Sequence, residues 1–317
     1  MSQSNLYSII LLSYHSQDRI NGVFERVAKV MEKEKIPFEF IVMDDGSKDG
    51  SYKVALELEK KDSRVRAYQL SRNYTSHYAK FAGFSVSRGA CVTSIPDDMQ
   101  QPLDTYVTMY RQWEKGNKLV IPYRTSRNDG WLKDKFAQGY YKLMNSFSEV
   151  KFPPGGFDVF LADREVVDIL NERIHPINTS TTVEVLRLGF DPVFIPYDRP
   201  KVKNKSRWTF KKKLKAAADA FYTSSNFPIR LITYLGMITA IFSFILILFT
   251  IGAKLFGNSS MLGISVPGWA TTVIFISLFS GLILFSLGII AEYIWRIYEE
   301  VKNRPGYIIR KKENNHS

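Results

Sequence analysis

Two adjacent carboxylates, Asp97 and Asp98, interrupt a run of strand-forming residues in the stretch 92–102, VTSIPDDMQQP. A strand that stops at paired acids presents them to the crevice outside its carboxyl end, where a metal-bound nucleotide can sit. The chemistry this suits is charge neutralisation, with a hard divalent cation, Mg2+ or Mn2+, held by carboxylate oxygen against phosphate oxygens. The plainer alternative is a solvated turn, since Pro-Asp-Asp is ordinary turn chemistry. A second acidic run, DDGSKDGS from Asp44 to Ser51, also follows an apolar stretch, which it ends before capping the next helix.

These acids need elements to position them. Residues 8–13 and 38–43 are short apolar runs that fit buried parallel strands, and between them Ile20, Val23, Phe24, Val27, Val30 and Met31 recur at helical spacing. The alternation continues with a helix at 52–61, a strand at 65–70, a helix at 76–87 and the strand 90–95 that delivers Asp97 and Asp98. Beyond it the pattern predicts a helix at 103–115, a strand at 119–123, a further element opening at GGFDVFL, helices at 164–171 and 182–188, and a short strand at 192–196. Strands alternating with helices predict an α/β domain with a mostly parallel sheet and ligands at the strand carboxyl ends.

The 317 residues are enough for a sizeable core, and 43 Lys and Arg against 31 Asp and Glu leave a net charge of +12. Such an excess suits nucleic acid, an anionic membrane or phosphorylated substrates. The single cysteine, Cys91, excludes an intrachain disulfide framework and a cysteine-based zinc site. The first residues lack the basic leader and cleavage site of a signal peptide, so the N-terminal part is expected in the cytoplasm. Residues 201–221 are dense in lysine, with Phe210, Leu214, Ala217, Ala218 and Phe221 along one helical face, the pattern of a helix lying on an anionic membrane. Residues 231–255 and 269–293 follow, each 25 residues long with one charge near its end. Both exceed the roughly 20 residues that cross a hydrocarbon core. Basic residues flank the pair while the connecting loop has no charge, so both termini are expected on the cytoplasmic side. Because the basic residues cluster beside the apolar spans, the membrane explains the charge better than nucleic acid does.

The motifs in this order resemble those of the polyprenyl-phosphate glycosyltransferases of glycosyltransferase family 2, such as bactoprenol glucosyl transferases and undecaprenyl-phosphate aminoarabinose transferases. The resemblance is carried by DDGSKDGS, LSRNYTSHYAKFAGF, the acidic strand end before MQQP, GFDVFLADREVVD, KSRWTF and the tail AEYIWRIYEEVKNRPGYII. The tail is the most specific piece. The resemblance implies a GT-A catalytic domain over 1–200, a basic membrane-surface segment over 201–228, a two-helix transmembrane hairpin over 229–296 and a cytoplasmic basic tail over 297–317. It implies sugar transfer from a nucleotide sugar, usually a UDP-sugar, to polyprenyl phosphate at the cytoplasmic leaflet of a bacterial inner membrane. A homo-oligomer, tetrameric by resemblance, and a downstream lipid-sugar flippase go with that expectation.

Carried onto this chain, the resemblance gives Asp98 as the metal ligand and Asp158 as the catalytic aspartate that orients the acceptor or takes its proton. Tyr14, Asp44, Asp45, Arg72, Asp97 and Gln100 fall at positions that hold the nucleotide sugar; for Asp44 and Asp45 the alternative is capping, which Asp49 or Ser47 would serve instead. His77 lies in the same RNxGxH-like segment, where a structural histidine is an equal reading. Arg124 and Arg127 after a strand end, or Lys201, Lys205 and Arg207 before the membrane helix, would clamp the acceptor phosphate. Three departures stand out. The usual strand ending P-x-Y-N-E is here Leu12, Ser13, Tyr14, His15 and Ser16, with Gln17 or Asp18 left to replace the glutamate. Pro96 stands at the first acid of D-x-D-x-Q. Lys201 and Asn204 stand where an arginine and a glycine are usual.

Overall fold

The structure, a computed structural model, describes residues 5–99, 101–124, 139, 145–146, 150–154, 156–198, 231–239, 241–242, 244–245 and 268–310. Strands β1 (Tyr7–Ser13), β2 (Phe38–Asp44), β3 (Val65–Gln69), β4 (Cys91–Pro96), β5 (Leu119–Arg124), β6 (Leu161–Asp163) and β7 (Val193–Tyr197) form one sheet in the order β3-β2-β1-β4-β6-β5-β7. All neighbours are parallel except β6, which runs antiparallel to both β4 and β5. The carboxyl ends of six strands therefore share one edge, and β6 begins there.

Strand β2 is buried along its whole length, and β1 at every position but one, which is why both read as unbroken apolar runs. Tyr7, Ile9 and Leu11 of β1 pack with Val23, Val27 and Met31 of α1 (Ile20–Lys33) and with Tyr106 and Met109 of α4 (Leu103–Glu114). The alternate residue, Ile10, faces the other layer, with Phe81 and Phe84 of α3 (Ser76–Val86) and Val166 and Leu170 of α5 (Arg164–Arg173). Helix α2 (Ser51–Lys61) leans on the first layer through Ala55 and Leu58, and α6 (Thr181–Arg187) on the second through Val185. Cys91 is buried in β4. The strand order reverses between β1 and β4, and an open sheet of this kind binds ligands outside that switch point.

Met1–Ser224 together with Arg304–Ser317 make one compact unit and Ser225–Asn303 another. Within the second, residues 231–239 are helical and α7 spans Gly268–Val301. Its portion Leu278–Val301 is long and apolar enough to cross a bilayer, and its large apolar side chains point outward, Leu284 being 69% exposed. The other expected span, 231–255, falls largely outside the described residues, as does the lysine-rich stretch 201–228.

Candidate active site

The edge carrying the strand carboxyl ends gathers most of the expected site residues that are described. Asp44, the last residue of β2, is level with Ser13 of β1 and Gln69 of β3. Its buried carboxylate accepts from the Ser47 amide at 3.1 Å, the Ser47 hydroxyl at 2.5 Å and Gln69 Nε2 at 2.9 Å. It therefore shapes its own turn. Asp45 reaches to the neighbouring loop, where its two oxygens accept from the amides of Tyr74 at 2.7 Å and Thr75 at 2.9 Å. Burial raises the Asp45 carboxyl to about 6, partly offset by those two amides. Helix capping goes elsewhere, as the sequence allowed: Asp49 accepts from the Ser51 amide at 3.1 Å and Gln17 Oε1 from the Gly50 amide at 2.9 Å.

The two loops touch so closely that Gly46, at φ +65, has no room for a Cβ against the Arg72 backbone. Thr75 is held at φ 85 and ψ 161, a region used almost solely by glycine. The bonds from Asp45 hold this strained backbone in place and leave Arg72 and Asn73 exposed at the rim. Arg72 stacks its guanidinium on the Tyr74 ring, 4.6 Å from the centroid. Tyr14 is exposed at the end of β1, edge-on to His15.

On the β4 side, Asp97 turns back toward α1. Arg19 Nη2 lies 2.8 Å from its Oδ2, and the Ser16 hydroxyl donates to the same oxygen. Asp97 thus ties the β4 turn to the start of α1. Asp98 is half-buried at the next position. Asp158 precedes β6 by three residues; since Leu161 pairs with Thr93, counting outward places Asp158 level with Pro96. The antiparallel strand is what brings this distant residue to the crevice, where its side chain is exposed. Tyr106 is buried: burial pushes its phenol well above its usual value, and electrostatic interaction with Tyr197, Asp158 and Asp98 adds to the shift. Tyr106 donates to Gln101 Oε1 at 3.3 Å.

Two residues gain definition only from the structure. Lys80, on α3, is 8% exposed and donates from Nζ to the backbone carbonyl of Asp158. Burial lowers its affinity for the proton while the Asp158 charge opposes that. Nothing in the sequence singled it out, because a lysine in a short helix reads as solvated. His77 is 3.1 Å from the Pro176 carbonyl, and burial lowers it to about 4, so it is a neutral structural histidine. Arg124, at the end of β5, approaches the Tyr197 hydroxyl at 3.4 Å. Gln100, Arg127, Lys201, Lys205 and Arg207 lie outside the described residues.

The donor set fits a hard divalent ion bound together with a diphosphate. Among the described residues there is no cluster of three metal-ligating side chains. Mg2+ commonly takes one or two carboxylates and completes its shell with substrate phosphates and water. Asp98 would supply such a carboxylate, and Asp97, engaged by Arg19 and Ser16, is the weaker candidate.

The model of "Glycosyl transferase family 2" matches residues 8–167, from β1 through Asp98 and Asp158 into α5. This chain belongs to glycosyltransferase family 2. Its sheet is accordingly a GT-A-like α/β fold, mostly parallel with one antiparallel strand. An uncharacterized glycosyltransferase of Synechocystis is 32% identical over 305 residues, covering 95% of this chain and 94% of that protein. The uncharacterized glycosyltransferase YkcC of Bacillus subtilis is 31% identical, covering 98% and 95%. A prophage-derived bactoprenol glucosyl transferase of Shigella flexneri is 30% identical over 307 residues, covering 96% and 97%.

Proposed function

We propose that this family 2 transferase is membrane-bound and inverting, and moves a sugar from a UDP-hexose or UDP-amino sugar to undecaprenyl or another polyprenyl phosphate at the cytoplasmic leaflet. The extent of one match carries the reading. Similarity to the bactoprenol glucosyl transferase covers 96% of the chain, well past residue 167 where the family match stops, so it takes in the apolar C-terminal part as well as the catalytic sheet. The outward apolar surface of α7 supports membrane insertion, and two spans with both termini cytoplasmic complete the proposal.

In the reaction an oxygen of the lipid phosphate attacks the anomeric carbon. The bond from that carbon to the donor diphosphate breaks, and the diphosphate leaves with the bonding pair. A lipid phosphate is already largely ionised near pH 7, so Asp158 orients the acceptor and takes any remaining proton, and a strong general base is not required. Asp45 fixes the Arg72–Thr75 loop that lines the donor side, and Arg124 adds positive charge at the same edge for phosphate. A divalent ion on Asp98 would neutralise charge building on the diphosphate.

The test is direct. Membranes containing the chain are incubated with undecaprenyl phosphate and a panel of nucleotide sugars, and the lipid is weighed. A gain of one sugar residue with at least one donor is expected. A scaffold that only binds nucleotide sugar or lipid would give neither transfer nor donor hydrolysis, and that result would contradict the proposal.

A further inference from the structure

The segment 304–310 that follows α7 packs on the α/β unit. Only Lys302 and Asn303 separate the end of α7 at Val301 from Arg304, where the chain rejoins the α/β unit. Ile309 forms an antiparallel bridge with Leu70, immediately after β3. The Ser71 amide donates to the Ile308 carbonyl at 2.8 Å, and the Arg310 amide to the Gln69 carbonyl at 2.8 Å. Tyr307 and Ile309 pack against the core layer that contains Leu70, Ala79 and Phe81. Gly306 is pressed so closely onto Pro176 and Tyr78 that a Cβ there would lie 2.6 Å from Pro176 Cγ.

The bridged residues lead straight into the loop that carries Arg72, the Tyr74 and Thr75 amides and the glycine-like backbone of Thr75. A backbone in that region persists only when its surroundings over-determine it. Asp45 supplies one restraint from the β2 side, and the tail supplies the other by holding residues 69–71 from outside. Side chains extend the link. Arg310 Nη1 is 3.3 Å from Gln69 Oε1 and its Nη2 3.1 Å from the Ser71 carbonyl, while Gln69 Nε2 donates to Asp44. A chain of contacts therefore runs from the C-terminal tail to the DDGS turn.

We infer that the segment 304–310 is a positioning element of the donor site: by bridging to Leu70 it fixes the 72–75 loop, and through Gln69 it braces Asp44. The role as a donor site rests on the function proposed above; the mechanical link to the loop does not. It follows that a chain cut within its C-terminal hairpin loses part of its nucleotide-sugar site along with its anchor.

Two variants of the full-length chain in lipid nanodiscs test this. Gly306→Ala forces the tail off Pro176, and Arg310→Ala removes the guanidinium link while keeping the backbone bonds; Arg310→Lys is the conservative control. Hydrogen exchange over residues 69–75 and donor kinetics are measured together. For Gly306→Ala, exchange at the Tyr74 and Thr75 amides is expected to quicken by about tenfold or more, because a local opening equilibrium has lost its outer restraint. The donor KM is expected to rise by about tenfold with kcat within about twofold of wild type, the pattern of lost uniform binding. Arg310→Ala should show a smaller rise that Arg310→Lys partly restores. Faster exchange at the Arg310 amide, showing the tail released, with no change at Tyr74 and Thr75 would overturn the inference. So would a KM unchanged in both variants. If wild type transfers no sugar, the proposed function fails, and the exchange experiment still decides whether the tail holds the loop.

Discussion

The two sides of the crevice treat their acids differently. On the β2–β3 side, Asp44 and Asp45 are buried and their oxygens accept hydrogen bonds from Ser47, Gln69, Tyr74 and Thr75. On the β4–β6 side, Asp97 is tied to Arg19 and Ser16, Asp98 is half-buried, and Asp158 is exposed with its backbone carbonyl accepting from Lys80. The first side uses carboxylates to hold its own backbone. The second uses Asp97 in the same way but leaves Asp158 exposed. On the proposed function Asp44, Asp45 and Asp97 serve as scaffold and Asp98 and Asp158 as reagents, so substitutions in the two groups should fail in different ways.

The largest effect is expected at Asp98. Asp98→Ala should lower transfer by about 10³-fold or more in rate, the scale of several kcal/mol of charge stabilisation, while the protein remains membrane-inserted. Turnover at the wild-type rate over a titration of Mn2+ would remove the metal assignment. Next comes Lys80→Met, which keeps length and loses the bond to the Asp158 carbonyl. A misplacement of this kind should lower kcat by about 10- to 100-fold and leave the donor KM within about twofold. An equal rise in KM would move Lys80 to the donor side.

On the scaffold side the effects are smaller and show in stability. Asp45 is raised to about 6 by burial, so between its ordinary value near 3.8 and about 6 the folded protein keeps a proton that the unfolded chain has released. Its contribution is present below that window and lost as pH rises through it. His77, lowered to about 4, acts in the opposite direction: its contribution is present above its ordinary value of 6.5 and lost as pH falls toward 4. The melting temperature of Asp45→Asn relative to wild type should therefore rise from pH 4 to pH 7; a difference that does not change with pH would contradict the shift. Thr75→Gly should relieve strained backbone worth about 1 kcal/mol or more, offset in part by glycine's greater unfolded-state entropy, and give a small rise in melting temperature.

Much of the sheet was legible in the residues. The alternation of apolar runs and helical spacing located β1 to β5 and their helices to within a residue or two, because buried parallel strands and amphipathic helices leave strong periodic signals. Asp97 and Asp98 were visible as a strand end for the same reason. What pattern alone did not show was direction. Three residues, Leu161–Asp163, carry no period of their own, yet they insert antiparallel between β4 and β5, and Asp158 lies on the segment leading into them. Nor could spacing assign partners: that Asp97 turns to Arg19, Asp45 to the Thr75 amide and Lys80 inward depends on contacts between loops far apart in the chain. The tail illustrates both limits, since its wording was the most family-specific stretch and its bridge to Leu70 was not foreseeable from local sequence.

The central claim is that Asp158 acts on the transferring groups while the β2–β3 side holds the donor. Single-turnover transfer from the accepted nucleotide sugar to undecaprenyl phosphate, measured for wild type and Asp158→Asn alongside donor binding, tests it most directly. The account predicts a rate lower by about 10²-fold or more with the donor Kd within about twofold. An unchanged rate, or a loss explained wholly by weaker donor binding, would contradict it.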